Sequence, residues 1–417
     1  MTKFNLYIFF ISFFLTSCSN FLTWHLDRGI HKNKISLPSN DADQSEIQQN
    51  NYDVSSIEKW STSTNNGIEG NTGYLRIFKK NNTIYSVDSN GLLSAVSSDN
   101  GEIIWQTSTN YDVSSGISLI NNKICLGTTD AELICFKIDS LSDNNHLPFI
   151  TSIKNSTTFS KRIPEIKIDL LSELASPVLP INNLILMKLD NDDLFLMDPL
   201  TEDVIWKTES QNIPLRSKGS SMPLILENNV FIARDNGSIS AYDKITGTLK
   251  WLTIISSRSG RNDLESQRDA EMSILTKNNK IYYGHFQGSL TSLDKNTGDR
   301  IWSSPFSFLN NISLYKNSIY GSTSDNLLVS LDEASGFLNW KNEINKKITE
   351  PFIIEKVVMI FTTSGTLLGY DLETGTKVHE KEYGYDLNPK TQFITEKNNI
   401  FFQTNDGDTI CLQVNLQ

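Results

Sequence analysis

The chain has 417 residues, 38% of them apolar, with 37 Lys and Arg against 48 Asp and Glu and a formal net charge of −11. An acidic chain with no basic run interleaved with aromatics argues against a nucleic-acid partner and against docking on anionic lipid through surface charge. The length is large for one ordinary core and suits an architecture that grows by repetition.

Residues 1–17 read as a signal segment. Lys3 precedes the apolar run Phe4–Leu15, and Leu15-Thr16-Ser17-Cys18 follows. The run is too short to span a bilayer. The segment resembles a bacterial lipoprotein signal with its lipobox; an ordinary secretory signal is the alternative. The resemblance implies cleavage before Cys18 and lipidation of that cysteine. Ser19, in place of Asp, implies the outer membrane, with the folded part in the periplasm. Residues 18–56 are rich in Ser, Asn, Asp and Gln and read as a flexible tether; Trp24 within it is incidental or interfacial. Residues 57–417 are expected to form one domain.

Within that domain one unit recurs. Asp235–Trp251 reads DNGSISAYDKITGTLKW. Asn236-Gly237 marks a tight turn, Ser238–Tyr242 alternates as a half-buried strand, Asp243–Gly247 is a second turn, and Trp251 lies on a further strand. Copies end at Trp105, Trp302 and Trp340, and one ends at His379 in the Trp position. Another ends at Trp206, with Glu202 in the glycine slot, and two more are degenerate, at Asp130–Ile138 and Asn405–Val414. In the regular part the Trp positions are 38 to 51 residues apart, the length of a four-stranded propeller blade. Met222–Leu226, Ser273–Leu275, Asn311–Tyr315 and Pro351–Ile354 supply inner strands. Ile57–Thr62 resembles Ile103–Ser108, so Trp60 is assigned to the missing outer strand of the last blade. The expected fold is an all-β, eight-bladed β-propeller of four-stranded antiparallel blades, closed by an N-terminal strand; a solenoid is the alternative.

Residues 139–172 break the pattern and read as a long outer loop of the second blade. Cys125, Cys135 and Cys411 read as buried packing thiols, the first two in slots taken as not directly opposite, so no disulfide is expected. Asp190–Asp193 reads as a solvated turn rather than a calcium loop. None of the five histidines has metal-ligand spacing, and no phosphate loop or nucleophile elbow occurs. No catalytic residue, metal site or cofactor is assigned.

The Ala241–Trp251 repeat resembles that of pyrroloquinoline quinone dehydrogenases, whose adjacent Cys-Cys pair is missing here. A second resemblance covers nearly the whole chain. The lipobox, the polar tether, the Trp60–Ser63 strand and eight such blades resemble the BamB family of the outer-membrane β-barrel assembly machinery. Pro214–Ser221 resembles that family's Leu-Arg-Gly segment before the fourth blade. Ser257–Gly260, Leu264 and Arg268–Glu271 resemble its long loop ending in Asp-x-Asp, with Glu271 replacing the second Asp. The resemblance implies a non-catalytic scaffold, with Arg216, Asp269 and Glu271 contacting the periplasmic POTRA domains of a BamA-type barrel protein and Leu215 as an apolar neighbour. Nascent outer membrane proteins would be further partners, and the lipid anchor would hold the chain to the membrane. The alternatives are a quinone-dependent periplasmic dehydrogenase and a scaffold of another envelope complex.

Overall fold

The computed structural model of the protein describes residues 52–67, 75–142, 163–210, 221–256, 272–285, 287–308 and 310–417. Cys18, Trp24, His25, His31, His146, Leu215, Arg216, Asp269 and Glu271 lie outside them. The described strands form eight four-stranded antiparallel sheets. Seven sheets use four consecutive strands, here lettered a to d from the central channel outward. The eighth places Val54–Ser63 as the outer strand beside the last three strands of the chain. Its register runs from Val54↔Leu416 to Ser63↔Asp408, and it starts three residues ahead of Ile57. Trp60 pairs with Cys411, in the outer strand of the last blade as expected.

Burial explains the apolar pattern. Strands b and c are covered on both faces by neighbouring blades, so Ile84, Leu93, Ile232, Leu328 and Ile360 are fully buried and their runs are almost continuously apolar. Strand d lies at the rim. Leu249–Ile254 therefore alternates less strictly, with Trp251 buried while Leu249, Leu252 and Ile254 are exposed.

One row of side chains is repeated within the blades. Phe231, Ala241 and Trp251 lie opposite one another on strands b, c and d. The small middle residue lets the two rings meet across it, with centroids 5.9 Å apart. Tyr85–Trp105, Tyr282–Trp302, Tyr320–Trp340 and Phe401–Trp60 repeat the contact at 5.9 to 6.1 Å.

The same Trp locks one blade to the next. Trp251 Nε1 donates to the Lys295 carbonyl at 3.1 Å, in the c–d turn of the following blade. Gly298 in that turn has φ 76°, and a Cβ there would sit 2.5 Å from the Trp251 ring. Gly101, Gly247, Gly336 and Gly375 meet Trp60, Trp206, Trp302 and Trp340 in the same way. The turn's Asp caps its own loop: Asp243 accepts the Thr246 and Ile245 N–H groups, which hold its carboxyl at about 2.

Blade 2 departs from this scheme. Cys125 and Cys135 are directly opposite, with Cα atoms 4.1 Å apart, and form a disulfide. This corrects the expectation of unpaired thiols. The b–c turn at Thr128–Ala131 sets Gly127 against Leu133, and counting back from that pair brings the two cysteines together. After strand c comes a short helix, Ile138–Ser142, whose Leu141 shares a hydrophobic cluster with Trp105. The outer strand follows only at Ile166–Asp169.

Candidate functional site

In each blade the b–c turns and the d-to-a connections emerge on the same face, because the four strands alternate in direction. The segments bearing Leu215, Arg216, Asp269 and Glu271 are two of these connections, between blades 3 and 4 and between blades 4 and 5. The structure does not place those four residues relative to one another. It does place the ends of both segments.

The b–c turns share one device outside this region. Thr128, Thr323, Thr362 and Thr404 each accept, on the side-chain oxygen, the N–H four residues on, at 3.1 Å. Asp88 does the same in blade 1 at 2.8 Å. Each of these turns caps itself. Blades 3, 4 and 5 carry Leu189, Arg234 and His285 in that slot instead. Here the side chains reach between blades.

Lys188, at the end of strand b in blade 3, is fully buried. Its Nζ lies 3.2 Å from Asp192 Oδ1 and donates to the Ala233 and Ser221 carbonyls at 3.1 and 3.3 Å. Asp192 Oδ2 accepts the Asp235 N–H at 2.7 Å. Arg234 is 4% exposed. Its guanidinium donates to the Asp192 carbonyl at 2.7 Å and to Thr208 Oγ1 at 2.6 Å. A ring nitrogen of His285 lies 2.9 Å from the Arg234 carbonyl. A hydrogen-bonded chain thus runs from blade 3 through blade 4 to blade 5, with Lys188 paired to Asp192 and the Arg234 guanidinium on oxygen acceptors, as burial demands. The Asp190–Asp193 turn is therefore not simply a solvated turn: Asp192 is 1% exposed because Lys188 and the Asp235 N–H hold it inside.

The roots of both segments are held, that of the first in part by Lys188. Before the first, Ser210 donates its N–H to Asp193 Oδ1 at 2.8 Å; after it, Ser221 receives Lys188. Before the second, the Ile255 and Ser256 N–H groups donate to the Gly237 carbonyl at 3.0 and 3.1 Å. After it, Met272 is fully buried, and the Ser273 N–H donates to Asn311 Oδ1 at 2.7 Å. Sequence reasoning missed Lys188, Asp192 and Arg234. The signal was a lysine where the other blades carry Val87, Gly127, Ala233, Gly284, Ser322, Phe361 and Gln403, and an arginine in a slot that is mostly Thr.

The channel wall offers a different environment. A cavity of about 380 Å³ is lined by Asn311, Leu314, Glu350, Phe352 and Phe393, among others. Glu350 accepts Asn311 Nδ2 at 2.7 Å and the Phe393 N–H at 3.3 Å, and burial pushes its carboxyl up. Among the described residues no three His, Cys, Asp or Glu side chains converge as a metal-binding group. No helix among them is long and apolar enough to cross a membrane.

A family model described as outer membrane protein assembly factor BamB matches residues 164–342 and 316–415. BamB of Legionella pneumophila is 27% identical over 194 residues, which cover 46% of this chain and 50% of that protein. BamB of Yersinia pestis is 20% identical over 335 residues, covering 77% of this chain and 80% of that protein. The crystal structure of BamB from Moraxella catarrhalis superposes with a TM-score of 0.71 at 17% identity, over 86% of this chain and all of that one. With the family match spanning more than half of its length, this eight-bladed propeller chain belongs to the family of the outer membrane protein assembly factor BamB.

Proposed function

We propose that the chain is a non-catalytic scaffold that holds a barrel-forming protein of the outer membrane through that protein's periplasmic POTRA domains. The observation that carries this reading is the buried chain Lys188–Asp192–Arg234–His285. It holds the end of the first segment at Ser221, and separate hydrogen bonds hold Ser210, Ile255, Ser256 and Ser273 at the other described ends, flanking the stretches where the family resemblance places the contact residues. Fixing the ends of a segment lowers the entropy it loses on binding. On this reading Arg216 offers paired donors to a carboxylate, Asp269 and Glu271 offer acceptors, and Leu215 packs beside Arg216. Cys18 would carry the lipid and residues 18–56 would tether a periplasmic domain formed by residues 57–417. The unpaired outer edge of strand Leu249–Ile254, with Leu252 and Ile254 exposed, supports a further role in steering unfolded barrel strands.

Photo-crosslinking in native envelopes tests the reading. A crosslinker at position 216 or 269 is expected to trap a POTRA-containing barrel protein. One at Lys316, in an a–b turn on the opposite face, is expected to leave it untouched. Equal trapping from both faces, or trapping only at 316, would remove this face from the account.

A further inference from the structure

We infer that blade 2 is completed by an oxidative step, and that the Cys125–Cys135 disulfide takes the place of the aromatic row this blade lacks. In five blades the b, c and d positions hold an aromatic residue, a small residue and a Trp whose rings meet. Blade 3 keeps the Trp with Leu186 and Leu196, and blade 7 has Met359, Gly369 and His379. In blade 2 the same register holds Cys125, Cys135 and Ile166.

The loss of the Trp has a second trace in the next blade. Glu202 takes the slot where other turns need Gly, at φ 61°. In the other turns that Gly receives the Trp ring of the preceding blade, and in the blade preceding Glu202 the Trp position holds Ile166. Blade 2 therefore lacks both the internal ring contact and the Trp lock onto its neighbour. Its outer strand is four residues long, against five to ten elsewhere. The disulfide ties strands b and c where the ring contact is missing.

The chemistry is a two-electron oxidation by a thiol–disulfide exchange protein. One cysteine thiolate attacks that protein's disulfide, forming a mixed disulfide and releasing a thiolate. The second cysteine thiolate attacks the bonded sulfur of the first, closes the Sγ–Sγ bond and expels the remaining thiolate. Two protons and two electrons leave the chain, and the exchange protein ends as a dithiol. Both cysteines are 1% exposed in the folded ring, so the step precedes the packing of blade 2 against its neighbours. The two lie 10 residues apart in one hairpin, which brings them together without the rest of the ring. Cys411 occupies the slot of Cys135 in blade 8, but Phe401 lies opposite it. Burial pushes its thiol up to about 11, so it stays a packing thiol.

The test uses the full chain, purified from an oxidising compartment without reductant. Alkylation under denaturing conditions is expected to label Cys411, with Cys125 and Cys135 recovered as one linked peptide. Hydrogen exchange is then compared before and after reduction in mild urea, with the urea removed. Amides of Ser118–Lys137 are expected to exchange about a hundredfold faster after reduction, the other blades being unchanged. A variant that rebuilds the row, Cys125→Tyr with Cys135→Ala, Ile166→Trp and Glu202→Gly, is expected to keep oxidised-level protection with or without reductant. Alkylation of both Cys125 and Cys135, or reduction that leaves blade 2 unchanged, would overturn the inference. So would a rebuilt variant protected no better than the reduced chain.

Discussion

Lys188 is a full charge with no exposure to solvent, so its environment must supply all that water would. Asp192 and two carbonyls do so. Removing one member leaves the other buried and uncompensated. Lys188→Met is therefore expected to cost about 3 kcal/mol or more of stability, read as a lower urea midpoint. Lys188→Met with Asp192→Asn is expected to recover part of that loss, because the orphan charge is gone. A single variant as stable as the parent would show that the pair does not organise this face. These residues were hidden in the sequence for a physical reason. Asp190–Asp193 has the composition of a solvated turn, and only its place in the ring, with Lys188 beneath and Asp235 beside it, turns Asp192 inward.

Between elements, the Trp-on-Gly lock makes opposite demands on one slot. Gly298→Ala forces a Cβ into the Trp251 ring and a left-handed conformation on Ala, so a loss of about 2 to 4 kcal/mol is expected. Glu202→Ala meets no Trp and should stay within about 0.5 kcal/mol of the parent in the same denaturation series. The closing strand is held differently. His379, in the Trp register of blade 7, has Nδ1 2.9 Å from the Val54 carbonyl and Nε2 2.8 Å from Ser56 Oγ. Lys381 donates to the Ser56 carbonyl at 2.7 Å, Tyr383 to Ser56 Oγ at 2.7 Å, and Tyr52 to Asp371 at 2.6 Å. Burial first, and Lys381 after it, lower the His379 pKa, while the Val54 carbonyl and Asp53 oppose them. The unfolded chain then takes up the proton more readily than the folded one. The contribution of neutral His379 is complete above the ordinary histidine value of about 6.5 and is lost as pH falls from there toward the folded value. Melting temperature should drop between pH 7 and pH 5 more in the parent than in His379→Gln; parallel pH curves would show that this seam does not titrate.

At the scale of the molecule, the ring was legible because its recurring parts have local causes. Asn-Gly and Asp-x-x-x-Gly turns need particular backbones, and the recurring Trp meets a small partner in five blades and a glycine of the following blade in five. Trp60 could be placed in the last blade because its strand repeats the local pattern of Trp105. Blade 2 was less legible: Cys125 and Cys135 fall in the slots of Tyr85 and Ala95, but the hairpin register that sets those slots opposite one another depends on the b–c turn, and the facing cysteines went unseen. The candidate face was legible from the order of the strands, but its contact residues only as a resemblance. Leu215, Arg216, Asp269 and Glu271 came from segment patterns, whereas the buried Lys188, Asp192 and Arg234 depend on contacts between blades that no local pattern encodes. Binding of a barrel-forming protein's periplasmic domains at this face is tested by a detergent pull-down of the tagged chain from its native envelope, wild type beside Arg216→Glu, with bound proteins identified by mass spectrometry. A POTRA-containing barrel protein is expected to be held by the wild type and lost from the variant. Retention of that protein by the variant would return Arg216 to a structural role, and its absence from both samples would contradict the scaffold reading.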